Sequence, residues 1–352
     1  MALIPLSSYR DAPTNAAFLI AEEKVSTIGK RNITVDLARL LAAYGVIALH
    51  VPFSTSAAEG FNILFWPLCV PFFYAISLTY FVSGLKQASI PDIITKTWRR
   101  ILLPYLSWTT VYVSLLLAKR LLLGGDSGII FWRVLFYGES AVQLYFLPTL
   151  VLLQSVTLAI YLIVTPNSTK RTLGTTILLI ALAYLAWGDY NDCFGVAATG
   201  QVIGMTAFIG SAFWLSPRIH TLTFRPGYII TAIVLIVSAV YLNYRGYNLS
   251  VLNYPLILPI GGLGLLLLTL CIPTYTLPNW LSILASTSFG IYLSHILFLE
   301  AFEFILKVTH HANLEYNFVV KLLEVTLIFL LAAALTLLIR KIPICKQLFL
   351  GE

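Results

Sequence analysis

Charge is what this sequence has least of. Only 11% of its 352 residues are Asp, Glu, Lys or Arg, where a soluble domain carries about 25%. That shortage excludes an ordinary solvated globule. Methionine occurs twice, and the four cysteines, Cys69, Cys193, Cys271 and Cys345, are scattered without a CxxC spacing, which excludes a zinc ribbon and a disulfide framework alike. No internal repeat is evident, which weighs against a transporter made of inverted halves. The first 30 residues lack an apolar core followed by a small-residue cleavage site, so they do not read as a signal peptide. What is present instead is hydrocarbon: 59% of the chain is hydrophobic and mean hydropathy is +0.88.

Those totals describe an integral membrane protein, and the apolar runs give its layout. Ten can be drawn, at about 33–52, 62–84, 99–118, 142–164, 172–188, 194–214, 227–243, 255–272, 280–305 and 317–339, each near the roughly 20 residues that cross a bilayer. The fold class expected is an all-α membrane protein of about ten transmembrane helices. Residues 1–31 read as a polar cytoplasmic tail, 32–340 as the transmembrane domain and 341–352 as a short cytoplasmic C-terminal tail. Orientation follows from the basic residues. With the N-terminus inside, fifteen of the 22 Lys and Arg fall on the cytoplasmic side and five on the other, so both termini are expected in the cytosol. The net charge of +7 is then loop charge, and no nucleic-acid partner is expected. The segment GIIFWRVLFYG (128–138) is too short to cross and reads as an interfacial or re-entrant piece.

The first span, NITVDLARLLAAYGVIALHVP, contradicts its own setting by carrying Asp36, Arg39 and His50. Ionisable groups at membrane depth are costly and mark function by default. Arg39 and His50 are 11 residues apart, about three helical turns with roughly 20° left over, and Asp36 falls roughly 40° off the same line. One face therefore holds an acid, a guanidinium and, about 16 Å further on, an imidazole. A buried ion pair with an unrelated histidine would account for these residues; a polar channel lined by a catalytic histidine is the sharper reading.

The ninth span repeats the theme. Ser288, Tyr292 and His295 stand at i, i+4 and i+7, on one helical face. His295 lies about as far into its span as His50 into the first, so at 1.5 Å per residue both imidazoles are expected beyond the midplane, towards the outside. Interhelical hydrogen bonding accounts equally well for Ser288 and Tyr292. Lys96, Arg99 and Arg100 crowd the cytoplasmic mouth of the third span. On charge alone, membrane anchoring is the simpler account. The alternative is a phosphate clamp for an anionic nucleotide arriving from the cytosol, since guanidinium groups grip phosphate oxygens in pairs. Gln143 and Tyr145 in QLYFLP are weaker candidates for an outer mouth, and Glu139 beside them reads as a loop charge. Lys321 and Glu324 read as a local ion pair, Glu300 and Glu303 as solvated charges. His310 and His311 have no spaced carboxylate partners, and no metal site is expected.

Taken together and in order, these pieces resemble the acyltransferase-3 family of membrane acyltransferases. The resemblance rests on Arg39 and His50 as R-x10-H in a helix opening D-x-x-R, on VPFFYAIS (Val70–Ser77), RRILLPYLSW (Arg99–Trp108), LYFLP (Leu144–Pro148) and SFGIYLSH (Ser288–His295). It implies a ten-helix bundle that takes an acyl group, acetyl being the simplest, from cytosolic acyl-CoA. The group passes to a hydroxyl of a glycan or lipid-linked sugar, in a bacterial cytoplasmic (inner) membrane. By that resemblance His50 and Arg39 are the essential pair and the basic motif before the third span contacts the donor. The chain departs from the family pattern at Thr97, three before Arg100, where a second arginine is common. Lys96, three before Arg99, offers a different register of the motif. It departs again at Leu78 after Ser77, where glycine is usual, and at Gln143 and Tyr145, where His and Trp are common. The competing class is a multi-pass transporter using Arg39 and His50 as a proton or anion relay without acyl transfer.

Overall fold

A computed structural model describes residues 32–123, 130–191, 199–219, 221–222, 224–247, 249–251, 254–272, 278–309 and 315–352. The chain is an all-α membrane protein, 83% helical, with a single two-stranded hairpin among the described residues, Ser250–Val251 paired antiparallel with Tyr254–Pro255. Among the described residues eight helical stretches are long and apolar enough to cross a membrane, two of them, Ser56–Leu85 and Ile90–Leu121, made of consecutive helices. They are joined by Ile257–Cys271, of 15 residues, and Thr199–Leu215, of 17. At 1.5 Å per residue these two reach only about 22 and 26 Å, short of the roughly 30 Å hydrocarbon core.

In chain order the helices are α1 (Ile33–His50), α2 (Ser56–Phe65), α3 (Cys69–Leu85), α4 (Ile90–Thr97), α5 (Leu103–Leu123), α6 (Phe131–Tyr137), α7 (Phe146–Val164), α8 (Ser168–Tyr190), α9 (Thr199–Leu215), α10 (Pro226–Tyr244), α11 (Ile257–Cys271), α12 (Asn279–Ser286), α13 (Ser288–Val308), α14 (Phe318–Lys341) and α15 (Pro343–Leu350). The centre is α1. It packs against α2, α3, α11, α12, α13 and α14, and small residues on it, Ala42, Ala43 and Ala48, are fully enclosed. By contrast α10 turns Ile230, Ile233, Val234 and Val237 outward. An exposed apolar face of that size belongs against lipid.

Three expected spans are broken, each for a local reason. The second divides at Trp66–Leu68, where Pro67 has no N–H to continue the ladder. Gly261 and Gly262 of α11 lie against this break. A Cβ on Gly262 would come within 2.6 Å of the Pro71 carbonyl carbon, so only glycine admits the approach. The third span begins early at Ile90, behind a Ser89–Asp92 capping box, and passes through one turn of π-helix, Trp98–Leu102, before α5. The ninth breaks at Thr287. Ser286 and Thr287 turn their hydroxyls back to the carbonyls of Ile283 and Leu284, and Arg340 takes the Ser286 carbonyl at 2.8 Å, so the ladder has competitors there. The residues expected as a C-terminal tail form α15, which lies back against α5. Trp108 donates from Nε1 to the Phe349 carbonyl at 3.0 Å and packs edge-on to its ring.

Candidate active site

The polar stripe of α1 is built as its period requires. Asn32 caps the helix, its side chain accepting from the Val35 N–H at 3.2 Å, which sets Asp36 in the first turn and His50 at the last residue. Asp36 is buried and lies 3.7 Å from Arg39, whose guanidinium also sits 5.9 Å above the centre of the Tyr80 ring. The far end of the stripe meets α13. The imidazoles of His50 and His295 stand 5.4 Å apart between centroids, inclined at 33°. The matched depth read from the sequence thus brings the two rings together, although α13 begins eight residues later than a continuous ninth helix starting at Trp280 would.

Within that pair, His295 is fully enclosed. Its Nδ1 is 2.7 Å from the Tyr292 carbonyl, a group that can only accept, so Nδ1 carries the proton and Nε2 keeps its lone pair. That Nε2 is buried with no hydrogen-bond partner. Buried polar atoms left in this state need an explanation, and others are Gln143 Oε1 and Ser140 Oγ, in the turn between α6 and α7, and Thr109 Oγ1 on α5. Gln143 itself is anchored, donating from Nε2 to the Leu293 carbonyl at 3.2 Å, while Tyr112 donates to the same carbonyl at 2.8 Å. Composition gave Gln143 little weight, because an aromatic-rich mouth hides a single amide.

Tyr292 and Ser288 do not converge on the imidazoles in the way their spacing allows. Ser288 lies seven residues before His295, about 10 Å down the axis. The Tyr292 hydroxyl is committed to the Gln143 carbonyl at 2.8 Å, and its ring packs on Phe73 and Phe146 at 5.6 and 5.3 Å. We expect Tyr292→Phe to lower stability by about 1–3 kcal/mol, the cost of a buried carbonyl losing its donor, with acyl transfer kept within about tenfold. An oxyanion donor would instead show roughly a 10²–10³-fold loss in kcat; thermal unfolding and initial rates on one preparation separate the two.

Below this level a cavity of about 980 Å³ opens. Its walls carry five basic side chains, Arg39, Lys96, Arg100, Arg340 and Lys346, against two acidic ones, Asp36 and Glu352; Ser288 also lines it. Its deep end is closed by Phe73, Phe146 and Tyr292, and neither His50 nor His295 is among its lining residues. The expectation of one polar channel shared by Arg39 and His50 is therefore corrected. The stripe is interrupted by an aromatic roof, because VPFFYAIS sets Phe73 on this face of α3. Tyr292 belongs to both sides of that roof, its ring 6.0 Å from His295.

At the open end the basic motif divides between cavity and surface. All three basic side chains are exposed, but Lys96 and Arg100, four residues apart, line the cavity and Arg99 does not. The π-turn at Trp98–Leu102 adds one residue to the ladder here, a feature often found at functional sites. Arg340 and Lys346 entered the sequence reading only as loop charges.

On the other face, Arg133 reaches Glu139 at 3.8 Å and the Asn191 carbonyl at 2.5 Å. Burial pushes the Glu139 carboxyl up and Arg133 pulls it partly back. Glu300 pairs with Lys119 at 3.0 Å. The Lys321–Glu324 pair expected from sequence is not made. Lys321 instead donates to Asn62 at 2.7 Å with its ammonium 5.1 Å from the centre of the Phe53 ring, and the Glu324 carboxyl is left buried with the Tyr316 hydroxyl as its neighbour. Among the described residues no three His, Cys, Asp or Glu side chains gather as a metal site would need; His310 and His311 lie outside the described residues.

No curated protein and no solved structure matches the chain. Among protein families, an acyltransferase domain matches residues 32–341, a stretch that holds both histidines and every cavity residue except Lys346, Leu350, Gly351 and Glu352. That match covers nearly the whole chain, and the chain belongs to the acyltransferase-3 family: it is a membrane acyltransferase.

Proposed function

We propose that this acyltransferase moves an acetyl group from acetyl-CoA, on the cytosolic side, to a hydroxyl of a cell-surface polysaccharide or lipid-linked sugar, in a bacterial cytoplasmic membrane with both chain termini in the cytosol. The single observation that carries the reading is a basic cavity lined by Tyr292, whose ring packs against His295, the partner of His50. A nucleotide donor is long, thin and polyanionic at one end only. Lys96 and Arg100 suit its phosphates, and the depth beyond them suits an extended thiol-bearing arm. The carbonyl-bearing end then lies against the aromatic roof, and parting of Phe73, Phe146 and Tyr292 admits it to His50.

There the His50 imidazole removes the proton of the acceptor hydroxyl as its oxygen attacks the thioester carbonyl. The C–O bond forms, the C–S bond breaks, and the departing sulfur takes the proton back from His50 to leave as the CoA thiol. His295 packs beside the His50 ring, and its unpartnered Nε2, held as an acceptor by the bond at Nδ1, is free to take a proton donor brought in with the substrates. Arg39, steadied by Asp36, lies on the path of the arm. Comparing surface polysaccharide from cells with and without this chain tests the reading. Loss of acetyl mass, with CoA thiol released by membranes given acetyl-CoA and polysaccharide, is expected. Unchanged polysaccharide with no thiol release contradicts it, and solute flux without thiol release would favour a relay through Arg39 and His50.

A further inference from the structure

The mouth of the cavity is not built from the third span alone. Helix α14 carries Arg340 in its last turn, and α15 returns beneath it carrying Lys346. The return is fixed. Gly351 ends α15 in the left-handed conformation, φ +68°, and a Cβ there would come within 2.6 Å of the Arg99 carbonyl oxygen and 2.7 Å of the Arg100 Cα. The C-terminal turn is therefore seated on the same π-turn that presents Arg100. Leu350 is buried beside it, and the Trp108–Phe349 bond holds the rest of the helix.

What this seating delivers is a charge arrangement. Arg340 binds the Ser286 hydroxyl and carbonyl and the Glu352 carboxylate, and Lys346 lies 3.7 Å from the same carboxylate. Arg340 Nε is buried and has no partner. Two cations thus hold one side-chain carboxylate at the edge of a cavity whose remaining basic groups, Lys96, Arg100 and Arg39, outnumber its one other acid, Asp36. A carboxylate gripped by a guanidinium and an ammonium is a steric and electrostatic stand-in for a phosphate, which offers more oxygens in the same geometry.

We infer that Arg340 and Lys346 form a second phosphate subsite in the same cavity mouth as Lys96 and Arg100, and that the Glu352 side chain occupies it until a phosphate-bearing ligand displaces it. The inference rests on the donor reading above for its ligand, a nucleotide carrying separated phosphates. Its chemistry stands on the cations themselves. Displacement releases Glu352 to solvent and gives the phosphate two charge-assisted donors beside those of the third span.

Binding to the full chain in detergent, measured by calorimetry with CoA and separately with inorganic pyrophosphate, tests this. The variants are Glu352→Gln, Lys346→Gln and the double Arg340→Gln/Lys346→Gln, with Arg100→Gln as reference. We expect Glu352→Gln to tighten both ligands about threefold or more, and the double variant to weaken both about tenfold or more, the scale of a charge-assisted contact. Arg340 also braces α12, so if the double variant does not fold, Lys346→Gln and Glu352→Gln carry the test alone, moving affinity in opposite directions. Wild-type affinity in all three, with Arg100→Gln still impaired, overturns the subsite and leaves the donor reading standing. Pyrophosphate responding as stated while CoA does not bind upholds the subsite and removes that donor. Binding of neither ligand to the wild type overturns both.

Discussion

Replacing His50 by alanine should reduce acetyl transfer by roughly 10²–10⁴-fold, the range in which a positioned general base acts, while the protein still inserts and unfolds at nearly the wild-type temperature. The second half of that expectation follows from where His50 sits. It is the last residue of α1 and only partly buried, and the chain leaves the helix directly after it, with Val51 still bonded to the Ile47 carbonyl. Little packing depends on its ring. His295 differs, being fully enclosed and bonded to the Tyr292 carbonyl, so its removal would confound chemistry with stability. Transfer is read as label moving from acetyl-CoA to polysaccharide in membranes of equal protein content. Label transferred at the wild-type rate by the His50→Ala protein would remove the imidazole from the reaction.

The second large effect concerns the donor. Arg100→Gln should raise the KM for acetyl-CoA by about 10–100-fold with kcat little changed, because a hydrogen bond to a charged group contributes about 1.5–3 kcal/mol and this one is made equally before and during reaction. Arg99→Gln should shift KM by no more than about twofold, since that side chain does not line the cavity. The adjacent pair is a useful control. Both substitutions remove one positive charge from the same turn, so a general loss of surface potential would affect them alike. A larger effect at Arg99 than at Arg100 contradicts the register that the π-turn imposes.

How much of this was legible in the sequence depends on the scale at which each feature is fixed. The α1 stripe was, because helical period alone carries Arg39 and His50 to one face and hydrocarbon makes their presence conspicuous. The meeting of His50 with His295 was legible as matched depth. Tertiary features were not. The roof over the cavity comes from Phe73 and Phe146, which look like any apolar residues until Tyr292 is set between them. The choice of Arg100 over Arg99 depends on one extra residue in a hydrogen-bond ladder, which no side chain announces. The break at Thr287 depends on Arg340 reaching across from α14 to a carbonyl that a continuous helix would have used. Helix α15 is short and mixed in polarity, held by Trp108 and Gly351 rather than by its own propensity, so Lys346 reads as a loop charge. Lys321 and Glu324, at pairing distance along one helix, separate because Asn62 and two phenylalanine rings offer the ammonium a different partner.

The central claim is spatial: the donor enters at the basic mouth and its thioester passes the aromatic roof to the imidazole pair. The most direct measurement is an experimental structure of the protein with a non-transferable acetyl-CoA analogue bound. We predict phosphates against Lys96, Arg100, Arg340 and Lys346, the side chains of Phe73 and Tyr292 moved apart, and the carbonyl carbon within about 3–3.5 Å of where an oxygen bound to His50 would sit. An analogue seated on the opposite face of the bundle, or one in the cavity with the roof closed and its carbonyl remote from His50, would contradict the account.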